Sequence, residues 1–382
     1  MDNLFSEIGA ELNKTLELIY SSYPYFVFTT DVFYSNQKTI KLALSNIAFA
    51  PRKIDNSQLS KVLWEFKKND LIRKPSNVEK FNFLQVNHKQ KTVSLLTGNW
   101  EMSDNLILPE NYKFLIGKGT HLHLLNSAKI ISYGPIELIG EPEWPIIIDT
   151  PDATGQGVAV IQAKAQSEVK HVIFRDLSNP SHLGWQLTGA ITFYESSVKL
   201  DNVKFTNTRS EDALNIIRSK FSIKYVSFDA IPSDAIDIDF GNGKIMHSSV
   251  SGCGNDGIDL SGSRVRIEDV LVQQCKDKAL SIGENSSAQI KELRIDDAFI
   301  ALTSKDLSEV EGENIAIRSA EFGVAIFQKK PEFGPSHVSI RKLKTKNVKT
   351  SFLVEHHSTL QVDDFQIEPN QKKVEKFLYP NK

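Results

Sequence analysis

The chain has 382 residues, 40% of them apolar and 24% charged, with a net charge of −2. This composition supports a globular protein with a sizeable core. It argues against nucleic acid as the main partner, because phosphate binding relies on clustered Lys and Arg, and the basic runs (Lys67-Lys68, Lys329-Lys330, and those between Arg341 and Lys349) are short enough to read as solvated surface.

The first 20 residues are acidic and lack a basic start followed by an apolar run, so they do not read as a secretory signal. No later stretch has the length of apolar residues that a membrane span requires. The expectation is a cytoplasmic protein, or an excised part of an exported or cell-surface one. Leu4, Ile8, Leu12, Leu16 and Ile19 predict an amphipathic helix over 4–20. Strands at 25–30 and 39–48, a short helix at 59–66 and a strand at 91–96 follow. Residues 1–92 show no repeat and are expected to form a small α+β cap or accessory domain at the open end of a solenoid.

From Trp100 the texture changes to short strands parted by turn residues: 106–108, 113–116, 122–124, 129–131, 136–139, 145–148, 157–160 and 169–174. A repeat then begins at Ala190-Ile191-Thr192-Phe193-Tyr194 and is clearest in four copies. These are Glu211-Asp212-Ala213-Leu214-Asn215, Ser233-Asp234-Ala235-Ile236-Asp237, Asn255-Asp256-Gly257-Ile258-Asp259 and Asp277-Lys278-Ala279-Leu280-Ser281, each 22 residues after the last. A fixed step of this size without helical periodicity indicates stacked coils of strand. The register continues through Ile300-Ala301-Leu302-Thr303 and Gly323-Val324-Ala325-Ile326, and a second apolar column runs through Phe205, Phe228, Val250, Val272 and Ile295. Residues 328–334 interrupt it as a loop on one edge. The polar segment 371–382 is expected to be a frayed tail.

Alternation within a strand sends successive side chains to opposite faces. Leu214, Ile236, Ile258 and Leu280, with Ile216, Ile238, Leu260 and Ile282, point inward. Asn215, Asp237, Asp259 and Ser281 then form one outward ladder, and Ile217, Asp239, Ser261 and Gly283 a second. Stacked carboxylates about 4.8 Å apart require a raised pKa, a cation or a lysine beside them. Lys278 stands in the column of Asp212, Asp234 and Asp256. Cys253 and Cys275, also 22 apart, are placed stacked and inward, as a disulfide or as buried thiols.

This pattern resembles a right-handed parallel β-helix of the pectate-lyase-like superfamily over roughly residues 100–365. Ser210-Glu211-Asp212-Ala213-Leu214-Asn215, Gly254-Asn255-Asp256-Gly257-Ile258-Asp259 and Gly283-Glu284-Asn285-Ser286 are similar to bacterial β-helix modules known by fold. Asn255-Asp256-Gly257-Ile258-Asp259 and Leu280-Ser281-Ile282-Gly283 resemble polygalacturonase strand motifs, although Lys278 stands where that family has its histidine and no adjacent Asp pair occurs in an intervening coil. The expected fold is all-β: a single-stranded parallel β-helix over 93–370.

The resemblance implies a carbohydrate-active protein whose partner is an acidic polysaccharide. As a lyase or C5-epimerase, it would use Lys278 as base together with Asp237, Asp239 and Asp259, with Ca²⁺ held by Asp234, Asp237, Asp256 and Asp259. As a glycoside hydrolase, it would use a pair of the outward aspartates. Asn215, Tyr194, Arg218, Ser281, Glu284, Lys305 and Trp185 are the expected substrate contacts, Tyr194 as a stacking platform and Trp185 as a groove wall. The bland alternative is a noncatalytic surface or adhesion module in which Asp212, Asp234 and Asp256 cap turns. Glu284 and Lys305 also read as a simple ion pair. His356 and His357 face opposite sides of a strand and do not suggest one metal site.

Overall fold

A computed structural model describes residues 70–380 and two short strands, Phe33–Tyr34 and Ile40–Lys41. The chain divides into two compact units, Met1–Arg73 and Lys74–Lys382. In the first, Phe33–Tyr34 pairs antiparallel with Ile40–Lys41, which lies within the strand expected at 39–48. The expected helices at 4–20 and 59–66 and the strand at 25–30 lie outside the described residues. No α+β cap is visible among those described.

The second unit is a parallel β-solenoid whose coils each present three strands. The first face begins with Thr92–Leu95, Lys113–Gly117 and Ile136–Ile139, the second with Asn99–Met102, His121–Leu124 and Ile146–Asp149, and the third with Leu106–Ile107, Ile130–Ser132 and Val158–Ile161. A right hand is the rule for parallel crossovers. Thr92–Leu95 already pairs in parallel with Lys113–Gly117, and Leu84–Asn87 caps it antiparallel. Toward the C-terminus the corners soften, and Arg264–Gly283, Ser287–Lys305 and Glu309–Phe327 are each one continuous extended run around a coil.

The core is built by register. Phe205 pairs with Phe228, Phe228 with Val250, Val250 with Val272 and Val272 with Ile295, so the second apolar column is continuous. Phe205 and Phe228 stack with centroids 4.7 Å apart. Each such buried side chain contributes roughly 1.5–3 kcal/mol, and stacking identical positions spreads that gain evenly along the axis. Buried serines line the corner after the third face and satisfy the backbone there: Ser219 Oγ accepts from the Ser196 N–H, Ser286 Oγ from that of Ser263, and Ser358 Oγ from that of Ser336. Cys253 and Cys275, paired in register, form a disulfide across adjacent coils.

The expected frayed tail is instead docked. Val374–Leu378 is a short helix that buries Val374 and Leu378 against Ile300, Phe322, Ala325 and Leu353. Two apolar residues four apart suffice to hold one helical turn on an apolar face, a signal too short to stand out from the polar residues around it. Among the described residues no helix is long and apolar enough to cross a membrane.

Candidate active site

The third face carries the ladder. Leu214, Ile216, Ile236, Ile238, Ile258, Leu260, Leu280 and Ile282 are at most 1% exposed, which turns the residues between them outward. The register pairs Asn215 with Asp237, Asp237 with Asp259 and Asp259 with Ser281; beside these, Ile217 pairs with Asp239 and Asp239 with Ser261. Coils about 4.8 Å apart therefore gather Asp237, Asp239 and Asp259 into one patch, and all three are partly exposed.

Asn215, fully buried, organises one end. Its Nδ2 donates to Asp237 Oδ2 at 2.9 Å and its side chain also bonds Asp239, while its Oδ1 lacks a partner among the described residues. Burial, reinforced by the Asp239 and Asp212 charges, holds the Asp237 carboxyl well above the ordinary carboxylate range. Burial also raises Asp239, where the Asn215 bond opposes the shift and the Asp259 and Glu284 charges add to it. At the other end Lys305, buried, donates to Ser281 Oγ at 2.9 Å and lies 3.8 Å from Asp259 Oδ1. Ser261 Oγ donates to Glu284 Oε2 at 2.8 Å, and Glu284 Oε1 lies 2.8 Å from Lys330 Nζ. The expected Glu284 and Lys305 pair is thus replaced by two others. The 328–334 loop is fixed by Asp306 Oδ1, which accepts from the Lys329 and Lys330 N–H groups at 2.6 and 2.7 Å.

The column at the bend serves the turns. Asp234 Oδ1 accepts from Asn255 Nδ2 at 2.6 Å and from the Asp256 N–H at 2.8 Å; Asp256 Oδ1 accepts from the Lys278 N–H at 3.0 Å. Two of the four expected Ca²⁺ ligands are therefore committed to the fold. Lys278 is not poised as a base either. Its Nζ lies 2.9 Å from Asp256 Oδ1 and 2.6 Å from Asp277 Oδ2, under the Tyr379 ring, and its side chain is 11% exposed. Burial alone would lower its pKa, but the Asp256 and Asp277 charges outweigh that and raise it. The lowered pKa expected of a catalytic lysine is the reverse of what this site produces.

Asp212 gives the face a pH signature. Burial, with the Asp234 and Glu211 charges adding to it against a bond with Thr188, pushes its carboxyl up to about 8. A carboxyl whose folded pKa exceeds its unfolded value binds its proton more tightly when folded, so stability is present at low pH and lost as pH rises. Between about pH 4 and 8 the slope approaches about 1.4 kcal/mol per pH unit for one such group. Asp212→Asn should flatten that slope and give the more stable protein at pH 8, as urea midpoints at several pH values will read. An unchanged slope would remove Asp212 from this role.

Tyr194 is 8% exposed, bonded to Glu195 and raised to about 12 by burial and by the Glu195 charge, so it is not an open stacking platform. Arg218 lies 3.8 Å from Glu195. Trp185 sits in a hairpin, Ser181–His182 against Trp185–Gln186, that precedes the third-face strand two coils before Asp237. The open aromatic is Phe240, 56% exposed, directly after Asp239. It lies over Gly262, where a Cβ would meet the ring at 2.6 Å, and the Arg218 guanidinium is 5.6 Å from its centroid. Its signal was available: Glu195, Arg218, Gly262 and Glu284 share its corner position and its positive φ, and Phe240 is the apolar side chain in that otherwise polar or glycine column.

No family profile matches the sequence, and no curated protein does. Among solved structures, the chain is similar to the catalytic unit of a thermostable GH87 α-1,3-glucanase from Streptomyces thermodiastaticus, at 10% identity over 72% of this chain and 62% of that one, with a TM-score of 0.43. It is also similar to the A-module of the mannuronan C-5 epimerase AlgE4 from Azotobacter vinelandii, at 11% identity over 75% and 99% of the two chains and a TM-score of 0.40. A third likeness is to tailspike protein 2 of the Escherichia coli O157:H7 bacteriophage CAB120, at 12% identity over 72% and 43%, with a TM-score of 0.40. The chain covers less than two thirds of the glucanase unit's length. At these identities and TM-scores the likenesses carry no argument about this chain.

Proposed function

We propose that the chain is a glycoside hydrolase of the pectate-lyase-like solenoid superfamily, with Asp239 as general acid and Asp259 as general base. The observation that carries this reading is the convergence of Asp237, Asp239 and Asp259 on one partly exposed patch, with two of the three carboxyls raised. A carboxyl whose pKa is raised by burial holds its proton more readily and can donate it to a leaving glycosidic oxygen, while a second, across the bond, activates water. One coil of spacing and two residues along the strand place Asp239 and Asp259 about 8 Å apart, within the roughly 6.5–9.5 Å separation of inverting enzymes. Asp237, bonded to Asn215 and the more strongly raised, serves to position its neighbours. Phe240 offers a sugar ring an apolar face beside the acid.

A lyase or epimerase needs an available base and a cation for the substrate carboxylate. Lys278 is held in two ion pairs, and Lys305 already faces Asp259 and Ser281. Lys305 and Lys330 are committed to Asp259 and Glu284 rather than to a substrate carboxylate, so a neutral glycan suits this face better than the acidic one expected from sequence. The disulfide supports an oxidising compartment, hence an exported or cell-surface location. Incubation with a panel of neutral and uronic-acid polymers tests the reaction class. New reducing ends without ultraviolet-absorbing unsaturated product are expected. Unsaturated product from any polyuronate would overturn the hydrolase in favour of a lyase.

A further inference from the structure

A second cluster lies on the solenoid's second face, away from the ladder. His121 and His123 are two apart on the strand His121–Leu124, so both project outward, and Asp149 is the register partner of His123 on the next coil. Their rings lie 4.0 Å apart by centroid. His121 Nε2 is 2.9 Å from Asp149 Oδ2 and His123 Nδ1 is 2.6 Å from Asp149 Oδ1, and one ligand atom from each residue falls within 4.8 Å of the others. Asp149 is 4% exposed, whereas the two histidine side chains are 28% and 17% exposed.

We infer that His121 Nε2, His123 Nδ1 and Asp149 Oδ1 form a binding site for a borderline divalent cation, Zn²⁺ above all, with its remaining position open to solvent. Two imidazoles and one carboxylate are the donor set such ions prefer, and one poorly suited to Ca²⁺, which takes oxygen. A tetrahedral ion with bonds of about 2 Å sets its ligand atoms about 3.3 Å apart. The two histidine–aspartate contacts, at 2.9 and 2.6 Å, are somewhat shorter than that, a difference that small side-chain rotations supply.

Arg175, which follows Phe174, the register partner of Ile148, bonds Asp149 Oδ2. That contact fixes the carboxylate's orientation and leaves Oδ1 for the metal, the part an outer-shell partner plays in metal sites. It also adds a positive charge, which the Asp149 carboxylate balances before the ion arrives. Without a metal the same residues make a hydrogen-bonded clamp across three coils, and the experiment must separate the two.

The test uses the full chain, free of any affinity tag and stripped with chelator, titrated with Co²⁺ while visible absorption is read, then with Zn²⁺. The inference expects one equivalent of Co²⁺ with tetrahedral-type absorption, displaced by one equivalent of Zn²⁺ and untouched by a hundredfold excess of Ca²⁺. His123→Ala and Asp149→Asn should each weaken binding at least tenfold, whereas Asp237→Asn should leave it unchanged. Zn²⁺ should raise the melting temperature of the parent protein and not of His121→Ala. Should Asp149→Asn fail to fold, the parent and His123→Ala still decide. Absence of Co²⁺ absorption in the parent, or equal binding by His123→Ala, would overturn the site. The readout does not depend on the ladder's activity.

Discussion

Lys278→Ala is expected to destabilise the protein by about 3–5 kcal/mol at pH 8, the usual cost of removing one partner of a buried ion pair. The change leaves Asp256 and Asp277 facing each other in a site closed by Tyr379, whose hydroxyl donates to Asp277 at 2.5 Å. Asp256 is raised to about 6 by burial even with the Lys278 charge lowering it, so without the lysine both carboxyls meet an unscreened penalty. Two comparisons identify the cause. The loss should shrink at pH 5, where Asp256 takes up its proton. The pair Lys278→Met with Asp256→Asn should be less destabilised than Lys278→Met alone, since the double change removes the unpaired charge. Urea unfolding of the four proteins measures both. A Lys278→Ala protein as stable as the parent would mean that the lysine is not the keystone of this corner.

Asp239→Asn and Asp259→Asn are each expected to lower kcat by about 10²–10⁴-fold on whichever glycan the parent cleaves, the usual contribution of a positioned acid or base. Each change removes one charge from a cluster in which like charges raise one another. The melting temperature of Asp239→Asn should therefore stay at or above the parent's, whereas Asp259→Asn also loses the carboxylate that faces buried Lys305, so its activity is read on protein shown to be folded. Asn also cannot donate a carboxyl proton, so the alkaline limb of the pH–rate profile should change in Asp239→Asn. A stable variant at either position that keeps activity within tenfold would remove that residue from the chemistry.

The solenoid was legible because its coils repeat. Register in a parallel stack is set by the 22-residue step, and the pairing of Leu214 with Ile236, Ile236 with Ile258 and Ile258 with Leu280 is what that step dictates. The same arithmetic placed Cys253 beside Cys275 and aligned Asp237 with Asp259. It could not say what a long side chain does at its tip. Lys278 shares a column with three aspartates, and only three-dimensional packing shows that it turns back onto Asp256 and Asp277 under a C-terminal tyrosine about 100 residues away. Lys330 reached Glu284 from a loop that breaks the repeat, where no register exists to read. The His121, His123 and Asp149 cluster sits in coils of irregular length, so its members never line up as a motif, although the alternation of His121-Leu122-His123 already put both rings on one side.

In the proposed hydrolase, Asp239 and Asp259 act across a single glycosidic bond by direct displacement. Proton NMR of the first product formed, followed from mixing with a cleaved glycan before mutarotation sets in, tests it most directly. The diagonal placement of the two carboxyls predicts an anomeric configuration opposite to that of the bond broken. A first product retaining the original configuration would contradict it and would move the chemistry to the adjacent pair, Asp237 and Asp259, acting through a covalent intermediate.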